Sequence, residues 1–519
     1  MTSGSLLLGI DIGTASAKGV LCTPEGEVVA SATVAHETSF PRPGWAGHDA
    51  DAIWWGEFVQ LCRILLSGRY GPDDVGAVGV SAIGPCMVPV DASGRPLRPG
   101  VLYGIDRRAT AEIDLLHERC DADAILAVGG APLTTQAVGP KIRWLREHEP
   151  ERYARTAMIQ SSHGYVVFRL TGEHAVDRHT ASYYTPLFDL ASMTWADRFA
   201  DEVIGLDRLP PIVESTDIVG AVTSTASAAT GLRAGTPVVM GTMDAVAEAL
   251  SVGVTNPGDM LVMYGSTLFL VNLADAPHID ARIWNTAYCL PGRIAITGGL
   301  ATSGLLTSWF RDLVRGDGGR ESVDYATLGE RARSVPAGCE GLVCLPYFAG
   351  ERNPLHDPDA RGVFAGLTLG HTQGHLYRAL LESVGYGFRH NLEVHAEIGA
   401  MPRRLLAAGG GVQNLSWVQM LSDITGMPQA IPERTIGASY GDAYLAGLAI
   451  GTVPEPGAME GTWVRLARMV EPDPRDRAVY DETYAIYRSL YTHVRDDLHG
   501  LARITRNTVG YPTRVDRPA

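Results

Sequence analysis

Lysine is nearly missing from this chain. Lys18 and Lys141 are the only two in 519 residues. So strong a bias is compositional, and where Lys survives it, a compact point charge is favoured over the planar fork of Arg. Cysteine is also scarce. The seven present (Cys22, Cys62, Cys86, Cys120, Cys289, Cys339, Cys344) are odd in number and never spaced Cys-x-x-Cys, which excludes a disulfide framework and a zinc knuckle. Positive charge is in deficit: 43 Lys and Arg against 58 Asp and Glu leave a net charge of −15. Nucleic acid and anionic membranes call for the opposite sign, so neither is an expected partner. No apolar run approaches the roughly 18 residues that span a bilayer, and no basic segment precedes an apolar one at the N-terminus. The expectation is a reduced, cytoplasmic location. What remains is globular, with 45% apolar and 19% charged residues over a length suited to roughly three ordinary domains or two large ones.

Hydrophobic patterning then gives an α/β reading. Apolar Leu6–Ile12, a small-residue turn, Gly19–Cys22, a second turn at Pro24–Glu27 and Val28–Val34 predict two consecutive β-hairpins. A helix over 52–66 and a strand over 75–81 follow. Pro237–Met240 reads as a buried strand, and 244–251 as a helix. The run Gly253-Val254-Thr255-Asn256-Pro257-Gly258 is the strongest linker signal. Beyond it the opening logic returns: strand 260–263, the turn Tyr264-Gly265-Ser266-Thr267, then strand 268–273. This predicts two related halves, near 1–253 and 259–450, and two domains, 1–253 and 254–519. Helices over 376–388 and 417–425, a strand over 405–408 and a helical tail over 475–501 complete the second half.

Five constellations could carry chemistry. In Gly9-Ile10-Asp11-Ile12-Gly13-Thr14-Ala15-Ser16-Ala17-Lys18 the Rossmann pattern G-x-G-x-x-G is absent. A carboxylate at a strand end, before a turn rich in Gly and hydroxyls, suits a Mg²⁺–polyphosphate group, with Asp11 serving the metal. It also reads as an ordinary hairpin turn with surface Asp and Lys. The second turn, Gly265-Ser266-Thr267, carries the same two readings. In Gly241-Thr242-Met243-Asp244 the acid stands where a strand passes into a helix. It is either a helix cap or a general base for a substrate hydroxyl. In Ala408-Gly409-Gly410-Gly411-Val412-Gln413-Asn414, bare backbone can receive a flat ring beside Asn414, or form a plain strand–helix loop. Asp106-Arg107-Arg108, with Trp45, Asp49, Trp54 and Trp55, offers polar and aromatic groups to a polyol, or simply solvated charges over a core. His371 and His375 are assigned to a helix start rather than to a metal.

In chain order these residues resemble the FGGY carbohydrate kinases, and among them the xylulokinase-like branch. GIDIGTASAKG resembles the first phosphate motif, PGWAGHDADAIWW the segment after it, and PKIRWLREHEPERYART the stretch before the sugar-site loop. GTMDAVAEALSVG looks like the catalytic-Asp motif and YGSTLFL like the second phosphate motif. LPYFAGERNPLHDPDARGVFAGLTLGHTQGHLYRALLESVGYGF is similar to the family signature, and AAGGGVQNLSWVQMLSDITG to the adenosine motif. The resemblance implies two actin-like (RNase H-like) α/β ATPase domains with a cleft between them, using ATP and Mg²⁺. It implies Asp244 as catalytic base and Asp11 for Mg²⁺. Gly13, Thr14, Lys18, Gly265, Ser266, Thr267, Gly304, Gly410 and Asn414 would hold the nucleotide. Asp106, Arg108, Met87 and Asp244 would hold the acceptor, a small-molecule sugar or polyol. The expected assembly is a homodimer.

Two departures fall in the sugar region. Xylulokinases present Gly-Gln-Met-His-Gly where this chain reads Ala82-Ile83-Gly84-Pro85-Cys86-Met87. Their Trp-Asn-Asp-x-Arg appears here as Tyr103-Gly104-Ile105-Asp106-Arg107-Arg108, with one extra residue before the Asp. A pentulose such as D-xylulose is the first expectation. A tetrulose, another polyol such as glycerol or erythritol, or a sugar acid such as gluconate is the second, and an actin-like ATPase without sugar transfer the third.

Overall fold

The computed structural model describes residues 5–315 and 323–509; the chain termini of the two expected domains and 316–322 lie outside the described residues. The opening hairpins form as predicted. β1 (Leu6–Ile12) pairs antiparallel with β2 (Ser16–Cys22), and β2 with β3 (Val28–Ala35). The helix expected over 52–66 is shorter, α1 (Gly56–Leu65). A wider helical turn, Ala50–Trp55, precedes it, held open by Asp49, whose side chain accepts the N–H groups of Asp51 and Ala52. β4 (Val75–Ala82) lies parallel to β1. β5 (Ile218–Ala221), β6 (Pro237–Val239) and β7 (Thr242–Met243) complete the first sheet, in the order β5-β6-β4-β1-β2-β3 with β7 also on β4.

A second sheet repeats the core of this plan. β8 (Asp259–Tyr264) forms a hairpin with β9 (Leu268–Ala274), lies parallel to β10 (Arg404–Ala408), and β10 lies parallel to β11 (Gln429–Pro432). Antiparallel β12 (Leu466–Val470) follows β11. The first sheet shows the same succession: hairpin β2-β1, parallel β4, parallel β6, antiparallel β5. The two related halves expected from the sequence therefore share a strand plan.

Two compact units emerge, and they are discontinuous in sequence. The first comprises Met1–Pro257, Leu273–Ile296 and Arg434–Arg465, and the second Gly258–Asn272, Thr297–Glu433 and Leu466–Ala519. The linker signal at 253–258 marks the first crossing; two later segments return to the first unit. One of these carries α8 (Ala438–Ala449), which lies against β1 and β4. The approach is backbone to backbone. A Cβ on Gly9 would stand 1.9 Å from the Ser439 carbonyl oxygen, and one on Gly79 2.1 Å from that of Asp442. Glycine in these two strands is what brings α8 down onto the sheet.

Further helices include α2 (Val138–His148), α3 (Asp244–Ser251), α4 (Gly304–Arg315), α5 (Tyr325–Arg333), α6 (Gln373–Glu397), α7 (Leu415–Thr425) and α9 (Arg477–Val509). α6 is longer than expected because nothing in 389–397 breaks it. Its start confirms the histidine assignment: His375 Nδ1 accepts the N–H of Thr372 (3.2 Å) in a capping box. All seven cysteines are buried and free. Among the described residues no helix is long and apolar enough to cross a membrane.

Candidate active site

In the first unit, strand register sets the site. Asp11 on β1 stands opposite Ser81 on β4, and Ser81 opposite Thr242 on β7. These three residues form one row at the carboxyl ends of parallel strands, where open α/β sheets bind ligands. Gly241 makes the step from β6 to β7: its φ is +68°, and a Cβ there would lie 1.8 Å from the Val80 carbonyl oxygen. β7 is anchored from beneath by buried Asp177, which accepts from Thr242 Oγ1 (2.8 Å) and the Thr180 N–H (3.2 Å) and pairs with His163 (2.9 Å). Burial opposes ionisation of Asp177, but these partners hold its pKa below the ordinary value. Asp244 then opens α3. It is not the N-cap, which is Met243. Its Oδ1 accepts only the N–H of Ala245 (2.8 Å), and among the described residues its other oxygen accepts nothing.

Acids converge on this row. Asp442 of α8 is fully buried, and Ser81 Oγ lies 2.6 Å from its Oδ2 and 3.0 Å from Asp11 Oδ1. A hydroxyl carries one hydrogen, so it cannot donate to both carboxylates. The count closes with Asp442 protonated: Asp442 donates to Ser81, and Ser81 donates to Asp11. Burial, followed by the charge of Asp11, holds the Asp442 pKa well above the usual range. Burial lifts Asp11 itself to about 6, against the lowering effects of Ser81 and of Lys18, its cross-strand neighbour on β2. Burial and then Asp11 raise Asp244 well above the ordinary carboxylate, and lift Glu248, one turn along α3, to about 7. Ser81, Glu248, Asp442 and Asp177 escaped the sequence reading.

The hairpin turn beside Asp11 is closed by the Gly13 N–H donating to the Ser16 carbonyl (3.0 Å), and Thr38 Oγ1 donates to the Thr14 carbonyl (2.8 Å). The second turn lies in the second unit. There Gly265 N–H donates to the Thr267 carbonyl (3.0 Å), and the start of α4 sits on it through Ser303 N–H to Ser266 O (2.9 Å) and Gly304 N–H to Gly265 O (2.9 Å). A cavity of about 800 Å³ opens beside it, lined by Gly265, Ser266, Gly304, Gly410 and Asn414. Five of the sequence's nucleotide candidates thus share one cavity, of a size that takes a nucleotide. Thr267 is not among its lining residues. Asn414 Oδ1 also caps α7 through the Trp417 N–H (3.3 Å). The opposite wall comes from α5, with Tyr325, Glu330 and Arg333, which no sequence motif marks.

The acceptor candidates lie in the first unit. Arg108 grips Asp106 with Nη2 at 2.7 Å from Oδ2 and Nε at 2.9 Å from Oδ1, while the Ala46 N–H donates to Oδ2 (2.7 Å). Arg108 lies over the rings of Trp45 (4.1 Å) and Trp144 (5.0 Å). Asp106 thus positions the 44–46 loop and Arg108. Met87 has no exposed surface and packs in the apolar cluster of Val101, Leu116, Ile142 and Tyr184.

Within the first unit, Asp244 opens a helix at the end of the sheet whose first strand carries Asp11 near its end. Asp11 and its neighbours are hard oxygen donors whose mutual repulsion a divalent cation relieves, so they fit Mg²⁺. Among the described residues no three His, Cys, Asp or Glu side chains form a metal cage, so phosphate oxygens would complete the shell.

Comparison with known proteins bears on the family and the fold. The model of the FGGY carbohydrate kinases' N-terminal domain matches residues 6–251, and that of their C-terminal domain residues 260–450. Xylulose kinase of Escherichia coli (strain K12) is 30% identical over 493 residues, covering 94% of this chain and 98% of that protein. The crystal structure of xylulose kinase from Rhodospirillum rubrum superposes with a TM-score of 0.89 at 34% identity, covering 95% of this chain and all of that one. Glycerol kinase of Nocardia farcinica is 31% identical over 460 residues, 85% of this chain and 89% of its own. With the repeated actin-like sheet plan and an acid at the end of the first sheet, these matches show that the chain belongs to the FGGY family of carbohydrate kinases and is a sugar kinase, a phosphotransferase.

Proposed function

We propose that the protein transfers the γ-phosphate of ATP to a primary hydroxyl of a pentulose, D-xylulose being the foremost candidate. Full-length likeness at 30% and 34% identity to two proteins named xylulose kinase carries the choice of acceptor. Asp244 is the base. Among the described residues its carboxylate has one oxygen without a hydrogen-bond partner, and its raised pKa suits removal of a proton as the hydroxyl attacks phosphorus. Asp11, ordered through Ser81, would hold Mg²⁺, which supplies charge neutralisation to the phosphates. Gly13, Thr14 and Lys18 in the first unit, and Gly265, Ser266 and Thr267 in the second, would grip phosphate oxygens; Gly304, Gly410 and Asn414 would line the nucleoside. Phosphoryl transfer is mainly positioning and charge stabilisation, so one base and such a cradle suffice.

The altered segment Ile83–Met87 and the glycerol kinase relative favour a second reading, a polyol or sugar-acid acceptor on the same machinery. ADP release measured over a panel of ketoses, polyols and aldonates separates the two. The pentulose reading expects the highest kcat/KM with D-xylulose or a close pentulose. A maximum with glycerol, erythritol or gluconate overturns it.

A further inference from the structure

Two cationic donors in the first unit are buried without an acceptor. Lys141 on α2 is 1% exposed, and its Nζ makes no hydrogen bond among the described residues. Arg108 Nη1 is likewise buried and unmatched. Both belong to one cluster. Trp144, one turn beyond Lys141 on the same helix face, stacks with Arg108 and meets Trp45 edge-on at 5.2 Å. Just before α2, Gln136 accepts the N–H of Gly104 (3.2 Å) on the loop that holds Asp106.

Among the described residues no side chain accepts a hydrogen bond from Lys141. Asp106 is the acid that faces it, but both Asp106 oxygens are already taken by Arg108 and the Ala46 N–H. Cys86 also faces it, and burial pushes that thiol up to about 12, so it stays neutral. The charge of Asp244 reaches Cys86 as well, which ties the cluster to the proposed base. Burial pulls Lys141 down to about 8, which still leaves it mostly charged near neutrality. An ammonium with three donors and no acceptor among the described residues, whose nearby acid Asp106 is already bound to Arg108, is an expensive feature of an interior. In a chain whose only other lysine is Lys18, a ligand oxygen accounts for it.

We propose that Lys141 is the specificity-determining contact of the acceptor pocket, its ammonium donating to the carbonyl oxygen of an open-chain ketose, with Arg108 Nη1 as the second donor of the same cluster. A carbonyl offers two lone pairs and no competing hydrogen, so a point charge reads it in preference to a hydroxyl. The assignment rests on the reading of Asp244 as the base of a ketose kinase.

The test compares D-xylulose with xylitol, its alditol, which has a hydroxyl in place of the carbonyl. Full-length wild-type and Lys141→Met proteins are assayed for ADP release with D-xylulose and for competitive inhibition by xylitol, and their melting temperatures are recorded. The expected result is a D-xylulose KM raised about 30-fold with kcat changed less than about threefold, and a xylitol inhibition constant moved less than about threefold. Melting should be unchanged or higher, because an uncompensated buried charge has been removed. Equal weakening of ketose and alditol, or a lowered melting temperature with no ketose-specific loss, assigns Lys141 a structural role and overturns the proposal. Should Lys141→Met fail to fold, Lys141→Gln is held to the same ketose-specific split. Wild-type protein inactive on every ketose overturns the underlying function; wild-type protein active on D-xylulose, with the variant's KM unmoved, overturns Lys141 alone.

Discussion

Asp244 is separated from a helix cap by one detail: it sits inside α3, with a single hydrogen bond to its own successor's N–H. Asp244→Asn should lower transfer by about 10²–10⁴-fold while ATP affinity, read by calorimetry, changes less than about threefold. Retained turnover would remove Asp244 from the chemistry. Ser81 is tested through stability. Ser81→Ala strands two buried carboxyl groups, and denaturant unfolding should show a loss of about 1–3 kcal/mol. Residues at strand ends inside motifs, Asp11 and Asp244, were legible in the sequence. Asp442 was not, because its partner Ser81 is 361 positions away and only the packing of α8 at Gly9 and Gly79 joins them. The rarity of Lys141 was visible, whereas its burial without a partner belongs to the folded chain alone.

At the scale of elements, the start of α4 and the hairpin β8–β9 act as one piece. A Cβ on Gly304 would lie 2.6 Å from the Gly265 carbonyl oxygen. Gly304→Ala should push the helix off the turn and raise the KM for ATP about tenfold, a change of about 1.4 kcal/mol, with the acceptor KM unaffected. An unchanged ATP KM would detach this contact from nucleotide binding. The signature segment holds a second testable group. Glu351 is buried, accepts the N–H groups of Ala301 and Arg352 (2.7 Å each) on one oxygen, and leaves the other unmatched. Burial lifts its pKa from 4.5 to about 8. Between those values the native state binds a proton that the unfolded chain has lost, so stability falls as pH rises through that window and levels off above about 8. Glu351→Gln should flatten part of this decline in denaturant midpoints taken at pH about 6 and about 9. An unchanged slope would show that Glu351 ionises normally. Strands and turns were legible here because alternation, Gly and Pro announce them. The α5 wall of the nucleotide cavity was not, since an ordinary amphipathic helix carries no sign of what it faces.

Over the whole molecule, one strand plan serves twice and has been put to two uses. The first copy carries Asp244 as the proposed base, Asp11 as the proposed metal-directed acid and the proposed acceptor cluster around Asp106, Arg108 and Lys141. The second carries the cavity lined by Gly265, Gly304, Gly410 and Asn414. The sequence repeat was readable because each half opens with a strand and a Gly–hydroxyl turn. The return of 273–296 and 434–465 to the first unit was not, since no linker composition marks those crossings. A sugar kinase and an actin-like ATPase share this plan and differ in where the phosphate goes. Product stoichiometry therefore tests the central claim most directly: wild-type protein, ATP, Mg²⁺ and D-xylulose, with ADP and sugar phosphate quantified in the same sample. The account predicts equal amounts of the two products, and neither above background with Asp244→Asn. ADP formed without sugar phosphate, at a rate indifferent to D-xylulose, would contradict it.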